Sequence, residues 1–464
     1  MAERRRRYRK NNAPILITIA VLALILAALI VLAFTLGIPG DQLPGGSMQT
    51  SQDTPDSSSD NTPEPEPEPE PAITKVSTAT FSAVGDMLMH IPVINTGYNS
   101  STGGYDFEGV FRYFADYIQS ADYAAGNLET TLAGTDNGYK YSGYPQFNCP
   151  DGIIDGMKAA GFDMVLTANN HSYDTRNIGL TRTLQIIRDR QLASLGTKLD
   201  SGEPNYVVAQ CNGIKVALSC YTYETDGYAD KKALNGISMR VEDQPLINSF
   251  DYKHLDLFYN EISEGMAQME EDGVDAFILF IHWGNEYQTT HNATQSAIAQ
   301  ALCDLGVDVI VGGHPHVVQP VELLTSTKDE TQKTVCLYSM GNAVSNQRLQ
   351  NMNLKTGHTE DGVMFSVTFA MYSDGTVILE SAEILPTWVN LCVNPVSGRQ
   401  EYNILPLDTQ IEDWKTQFHL TDATFTKAQQ SYDRTMAIVG EGITEVNTYL
   451  QSHVAQVEEL LGVE

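Results

Sequence analysis

The sequence predicts a layered α/β domain, preceded by a membrane segment with a stalk and followed by a helical extension. Three observations carry that expectation. Apolar runs of strand length alternate with helical stretches from Thr78 onward. An uncharged apolar run, Pro14 to Ile38, sits behind a basic cluster near the N-terminus. Polar residues recur just after the apolar runs of the body, where open α/β sheets place their ligand sites.

The bulk numbers fit this reading. The chain has 464 residues, of which 42% are hydrophobic, enough to bury a core. Its formal charge is −30, and the first ten residues hold six bases and one acid, so the remainder carries −35. So acidic a body repels polyanions, and no nucleic-acid partner is expected.

Residues 1–13 read as a cytoplasmic basic tail. Residues 14–38 read as an uncleaved transmembrane signal-anchor, because 25 uncharged residues exceed the roughly 20 a bilayer-crossing helix needs. The Arg/Lys cluster should stay inside, which makes the protein a single-pass cell-membrane protein with its main domain extracellular. Residues 39–75, ending in alternating Pro and Glu, read as a disordered, extended stalk. Residues 76–390 form the α/β domain, and 391–464 a C-terminal, mostly helical extension.

Within the domain, strands are expected at 80–84, 123–125, 164–167, 276–281, 307–311 and 335–338. Helices are expected at 152–160, 176–190, 254–271 and 294–305, and a hairpin at 364–372 and 376–385 around Ser373-Asp374-Gly375. Asn212-Gly213 marks a further hairpin turn, which sets Cys211 opposite Ile214 and away from Cys220. With no CxxC spacing, the six cysteines read as free thiols, mostly buried.

Five apolar runs lead into chemistry-bearing residues. They deliver Asp86; Asn127 and Glu129; Asn170 and His171; His282; and the pair His314 and His316. Pro315 between two histidines fixes the backbone and fans the imidazoles apart. Imidazole, carboxylate and amide oxygen without thiolate suit Mn, Fe or catalytic Zn, as one ion or a pair of divalent ions. A carboxylate has two oxygens and can bridge such a pair; Glu129 is the candidate bridge, with Asn127 an alternative contributor. Trp283, Tyr287 and Tyr173 read as core or rim packing before a substrate platform.

In order, Gly85-Asp86, Asn127-Leu128-Glu129, Asn169-Asn170-His171, the block His282 to Tyr287, the block Gly313 to Pro320, and Ser339-Met340-Gly341-Asn342 resemble the CapA family of poly-gamma-glutamate capsule synthesis proteins. The likeness covers about residues 78–390. That family is similar in fold to calcineurin-like metallophosphoesterases, which implies a metallophosphoesterase-like four-layer α/β/β/α sandwich with a dinuclear site. The resemblance implies that Asp86, Glu129 and His316 hold one metal, and Glu129, Asn170, His282 and His314 the other. It further implies His171 as the catalytic residue that donates a proton to the leaving oxygen or steadies the transferring phosphoryl, with Glu286 and Asn342 as substrate contacts; the spacing alone sets Asp174, three residues on, to orient His171. Where the wider phosphoesterase pattern has Asp-x-His, His90 here is displaced by two residues, so one metal position is expected to be the weaker. The function implied is a membrane-anchored, phosphoester hydrolase-like part in poly-gamma-glutamate synthesis or export, beside a membrane synthase complex. A surface phosphodiesterase or nucleotidase, and a non-enzymatic scaffold for the synthase, are the competing readings.

Overall fold

The structure, a computed structural model, describes residues 72–463 apart from 137, 229–231 and 395–396. The expected tail, anchor and nearly all of the stalk lie outside the described residues. Among the described residues, no helix is long and apolar enough to cross a membrane.

In chain order the main elements are β1 (Lys75–Met87), β2 (Tyr123–Leu128), α1 (Gly152–Ala160), β3 (Met164–Leu166), α2 (Arg176–Asp189), β4 (Ala193–Leu195), β5 (Tyr206–Cys211), β6 (Ile214–Tyr223), β7 (Lys232–Leu234), β8 (Ile237–Ser238), β9 (Ser249–Phe250), α3 (Leu255–Glu271), β10 (Ala276–His282), α4 (Ala293–Leu305), β11 (Val309–Gly313), β12 (Val321–Thr325), β13 (Lys333–Leu337), β14 (Asn342–Val344), β15 (Asp361–Tyr372), β16 (Val377–Val393), β17 (Gln400–Pro406) and α5 (Asp422–Leu461). Two large sheets result. The first runs β17-β16-β15-β1-β2-β3-β4, with β14 also on β1; the second runs β9-β6-β10-β11-β13-β12, with β5 on β6.

Period-two alternation explains the layering. Phe81 and Ala83 of β1, Phe365 and Val367 of β15, Leu218 of β6, Ile278 and Phe280 of β10, and Val311 of β11 fill one core between the sheets. The intervening residues point outward. Val84, Ala124 and Val165 pack under α1 and its neighbours, while Phe277, Leu279 and Ile281 pack under α3 and α4. Both faces of the central strands are therefore buried, which is why they read as unbroken apolar runs. The order of layers is helix, sheet, sheet, helix.

The expected strands and helices all form, with ends moved by a few residues. Asn292 starts α4 with a capping box completed by Gln295, one residue earlier than the apolar spacing suggested. Cys211 stands opposite Ile214, and none of the six cysteines is paired. One difference is substantial. The first sheet continues past residue 390, because β16 reaches Val393 and β17 pairs with it from Thr387↔Pro406 to Val393↔Gln400. The segment read as a helical extension thus opens with a strand of the main sheet. The rest is helical, and α5 lies along β16 and β12, where the Asn447 amide bonds both N–H and C=O of Ala382 on the strand's uncovered edge.

Candidate metal centre

Parallel strands bring the centre together. β1 runs parallel to β2, and β2 to β3, so Asp86, Glu129 and Asn170-His171 emerge at one end of the first sheet. In the second sheet, β10 runs parallel to β11 with His282 opposite Gly313, so His282, His314 and His316 emerge together. Two glycines allow the approach. A Cβ on Gly85 would lie 2.0 Å from the Gly341 carbonyl oxygen, and one on Gly313 would lie 3.1 Å from Asp86 Oδ1 and 3.3 Å from His282 Nδ1.

Two groups of side chains converge closely enough to share an ion each: Glu129 with His282 and His314, and Asp86 with Glu129 and His316. All five residues are buried, and Glu129 belongs to both groups. Neither oxygen of its carboxylate has a hydrogen-bond partner, nor does His314 Nδ1. Glu129 Oε1 lies 3.5 Å from His282 Nε2, 3.8 Å from His316 Nε2 and 4.0 Å from His171 Nε2. Buried polar atoms without partners are rare, and unpartnered acceptors on residues of one buried cluster fit a site that could hold cations. Asn170 Oδ1 accepts from His282 Nε2 at 2.9 Å, which brings an amide oxygen to the same group. The fit is to hard or borderline ions, since every donor is nitrogen or oxygen.

The backbone is strained where this is useful. His314 has φ 95° and His316 φ 57°, both in the left-handed region that L-residues avoid. The Pro315 carbonyl is held by the Tyr287 N–H at 2.8 Å. Asp86 is anchored by three contacts: Asn127 Nδ2 at 2.7 Å, His316 Nδ1 at 3.0 Å and the His314 N–H at 3.2 Å. Burial pushes the Asp86 carboxyl up, but His316 and His282 more than offset it and hold it below the ordinary carboxylate value. Burial lowers His316, yet Glu129 and Asp86 raise it to about 9; burial and the neighbouring histidines push His314 well below the usual imidazole range. One imidazole is thus kept as the partner of the carboxylates and another as a neutral donor.

The remaining residues fall into distinct places. Asn127 spends both ends of its amide in the scaffold, donating to Asp86 and accepting from Asn169 Nδ2 at 3.1 Å. His171 Nδ1 lies 2.7 Å from Asp174 Oδ2, the pairing the spacing suggested. Burial opposes protonation of His171, but Asp174 and Glu129 raise its pKa. Glu286 stands exposed at the rim, near enough to add to the field on His316. Asn342, expected at a substrate, is fully buried, and its nitrogen bonds the carbonyls of His316 at 3.2 Å and Thr359 at 2.9 Å. That nitrogen braces the back of the His316 turn. Trp283 and Tyr173 are core residues, whereas Tyr287 is half-buried with its ring 6.2 Å from His316. His90 packs edge-on against Phe147 with its Nδ1 3.3 Å from both Leu88 O and Asn346 N, outside both groups. Asn235, which lies in an Asn-Gly turn and in no chemical motif, contacts both His171 and Asp174.

Two ligand groups sharing one carboxylate at the strand ends of a two-sheet α/β sandwich define the class: a layered protein with a buried candidate site for divalent ions. The model of the family described as bacterial capsule synthesis protein PGA_cap matches residues 80–347, more than half of the chain, and the chain belongs to that family. It is 28% identical over 306 residues to the capsule biosynthesis protein CapA of Bacillus anthracis, covering 65% of this chain and 66% of that protein. It is 27% identical over 243 residues to the PGA biosynthesis protein CapA of Bacillus subtilis (strain 168), covering 52% and 57%. The chain therefore spans just under two thirds of the one relative and somewhat over half of the other. The family read from the motifs is the family found.

Proposed function

We propose that this chain acts in capsule synthesis or export as a membrane-anchored, outward-facing, metal-dependent phosphoester hydrolase-like protein, with poly-gamma-glutamate as the polymer served. The observation that carries the reading is Glu129, a buried carboxylate with no hydrogen bond, set among the ring nitrogens of three histidines. Asp86, Glu129 and His316 would hold one ion, and Glu129, Asn170, His282 and His314 the other. A pair of divalent ions supplies charge neutralisation for a phosphoryl group and a nucleophilic water at neutral pH. The chain's own residues do the rest. His171, held through Nδ1 by Asp174, keeps Nε2 toward the centre and can hand a proton to a leaving oxygen. Asn127 and Asn169 fix the Asp86 carboxylate. The uncharged run 14–38 behind a basic tail supports the anchor and the outward orientation. Because chain and polymer are both anionic, binding of the polymer should strengthen with divalent cations and with salt.

His90 favours a second reading, a non-enzymatic scaffold for a membrane synthase. Its ring is used in packing, which leaves the Asp86 group with one imidazole. Metal content of the purified full chain separates the two readings. Near two equivalents, falling in both Asp86→Ala and His316→Ala, supports the hydrolase-like site and directs a phosphoester screen. One equivalent marks the Asp86 group as the weaker. No metal after Mn or Zn is offered overturns the hydrolase reading and leaves the scaffold.

A further inference from the structure

We propose that Asn235 is a positioning residue for the His171–Asp174 pair, clamping the Asp174 carboxylate from the tip of the β7–β8 hairpin. The hairpin closes with Leu234 opposite Ile237, so Asn235-Gly236 is a two-residue turn. Both residues have positive φ, 49° and 70°, the geometry that selects Asn-Gly. The tip is held firmly. Leu234 and Ile237 are buried with Tyr173, Leu180 and Leu184 in one small cluster, and Lys232 Nζ donates to the Gln244 and Ile247 carbonyls. The same cluster therefore seats the hairpin and Tyr173, the residue before Asp174.

From this seat the Asn235 amide nitrogen donates to Pro145 O at 3.1 Å and to Asp174 Oδ1 at 3.3 Å, and lies 3.3 Å from His171 Nδ1. Asp174 is wholly buried, and its oxygens are divided between donors. Oδ2 accepts the Phe147 N–H at 2.7 Å and faces His171 Nδ1 at 2.7 Å. Oδ1 has Asn235 as its one hydrogen-bond partner among the described residues. A carboxylate secured at one oxygen can still swing about its Cβ–Cγ bond; secured at both, it cannot. Asn235 thus keeps the hydrogen of His171 on Nδ1, toward Asp174, and leaves Nε2 facing Glu129. The arrangement joins a hairpin of a separate small sheet to a dyad borne by the first sheet.

The inference rests on reading His171 as the proton-handling group, but its test requires no turnover. The metal-free full chain, labelled with nitrogen-15 histidine, is compared with Asn235→Gly and Asn235→Asp. Glycine keeps the left-handed turn and deletes the amide; aspartate keeps the shape and turns the donor into an acceptor. The His171 signal is assigned by its loss in His171→Gln, and the exchange of its Nδ1 hydrogen with water is measured. Loss of one hydrogen bond to the carboxylate should speed exchange at least about tenfold in both variants. Melting temperatures should stay within about 2 °C of wild type, as expected for a half-buried turn residue. Exchange within about twofold of wild type in both variants, or a wild-type His171 with no Nδ1-bound hydrogen, overturns the proposal. A chain that binds no metal yet shows the faster exchange would sink the hydrolase reading and leave the role of Asn235 standing.

Discussion

Replacing Glu129 with glutamine should leave the metal-free protein nearly as stable as wild type and abolish its stabilisation by metal. The amide has the shape of the carboxylate, so packing is unchanged. Two opposing effects attend the change in the metal-free chain. Relief from burying an unpartnered carboxylate is worth at least about 1–3 kcal/mol, the cost of a neutral unsatisfied group. Against it stands the lost attraction to His316, whose raised pKa reports an interaction of similar size. They should cancel to within about 2 °C in melting temperature. Metal changes the balance. An ion at about 100 times its dissociation constant stabilises the folded state by about 2.7 kcal/mol. For the unit Ala72–Glu464, about 390 residues, the unfolding entropy is roughly 0.8 kcal/mol per degree, so each ion should raise the midpoint by about 3 °C and two by about 6–7 °C. Glu129 belongs to both groups, and the variant should lose the whole rise. Thermal melts of full chain and variant, with chelator and with Zn or Mn, make the comparison. An undiminished metal-induced rise in Glu129→Gln would refute the shared-carboxylate reasoning. So would a metal-free midpoint more than about 4 °C below wild type, which would make Glu129 a structural residue.

Other consequences can be checked the same way. Arg434 bonds both oxygens of the buried Asp361, at 2.8 and 2.7 Å, with Ser431 as a third donor. Arg434→Met should cost about 3–5 kcal/mol by leaving that carboxylate uncompensated, read as a melting point lower by about 4–6 °C. Gly313→Ala would push a methyl against Asp86 and His282, and should weaken metal binding about tenfold in calorimetry while the circular dichroism stays native. Burial first, with the His316 and His171 charges, depresses the His90 pKa to about 4, against the pull of the Leu88 carbonyl. The unfolded chain therefore binds the extra proton between pH 6.5 and 4. Stability from this residue is full above pH 6.5 and falls by up to about 3 kcal/mol as the pH drops to 4. Urea melts of His90→Gln should lack that share of the acid loss.

The convergence of the candidate residues was legible because each ends or follows a strand that is buried on both faces. A continuous apolar run such as Phe277–Ile281 announces its own end, and His282 stands there. Length was harder to read where a strand carries polar residues. Residues 400–406 include Glu401 and Asn403, whose side chains bond Arg112, Asn394 and the Gly109 carbonyl, so nothing in their hydropathy revealed a sheet partner. Asn342 shows a related limit of pattern: its amide nitrogen braces backbone carbonyls while its oxygen has no hydrogen-bond partner, and a polar residue after an apolar run looks the same from sequence in either use. Asn235 carried a readable signal, its Asn-Gly turn. Which surface the turn would touch depends on a contact with Asp174, 61 positions away, that no local pattern encodes.

The two ligand groups share a property that separate strand ends do not suggest. Glu129 and Asp86 come from the first sheet; His282, His314 and His316 come from the second. Neither group can form on one sheet alone, so an ion held by either would join the two sheets across their upper rim. The core below is apolar and non-directional, with Phe81, Leu218, Phe280 and Phe365 meeting between the sheets. Such a core resists separation of the sheets far better than it resists a small slide of one over the other. Slide is opposed at the rim by polar links between the sheets, among them the Asp86–His316 contact, the Asp86 bond to the His314 N–H and the His282–Asn170 bond. Metal binding should therefore stiffen relative motion of the sheets more than it adds burial. Amide hydrogen exchange should slow on metal addition at Asp86 and at 312–316, and stay constant in α5, which crosses both sheets at their far edges.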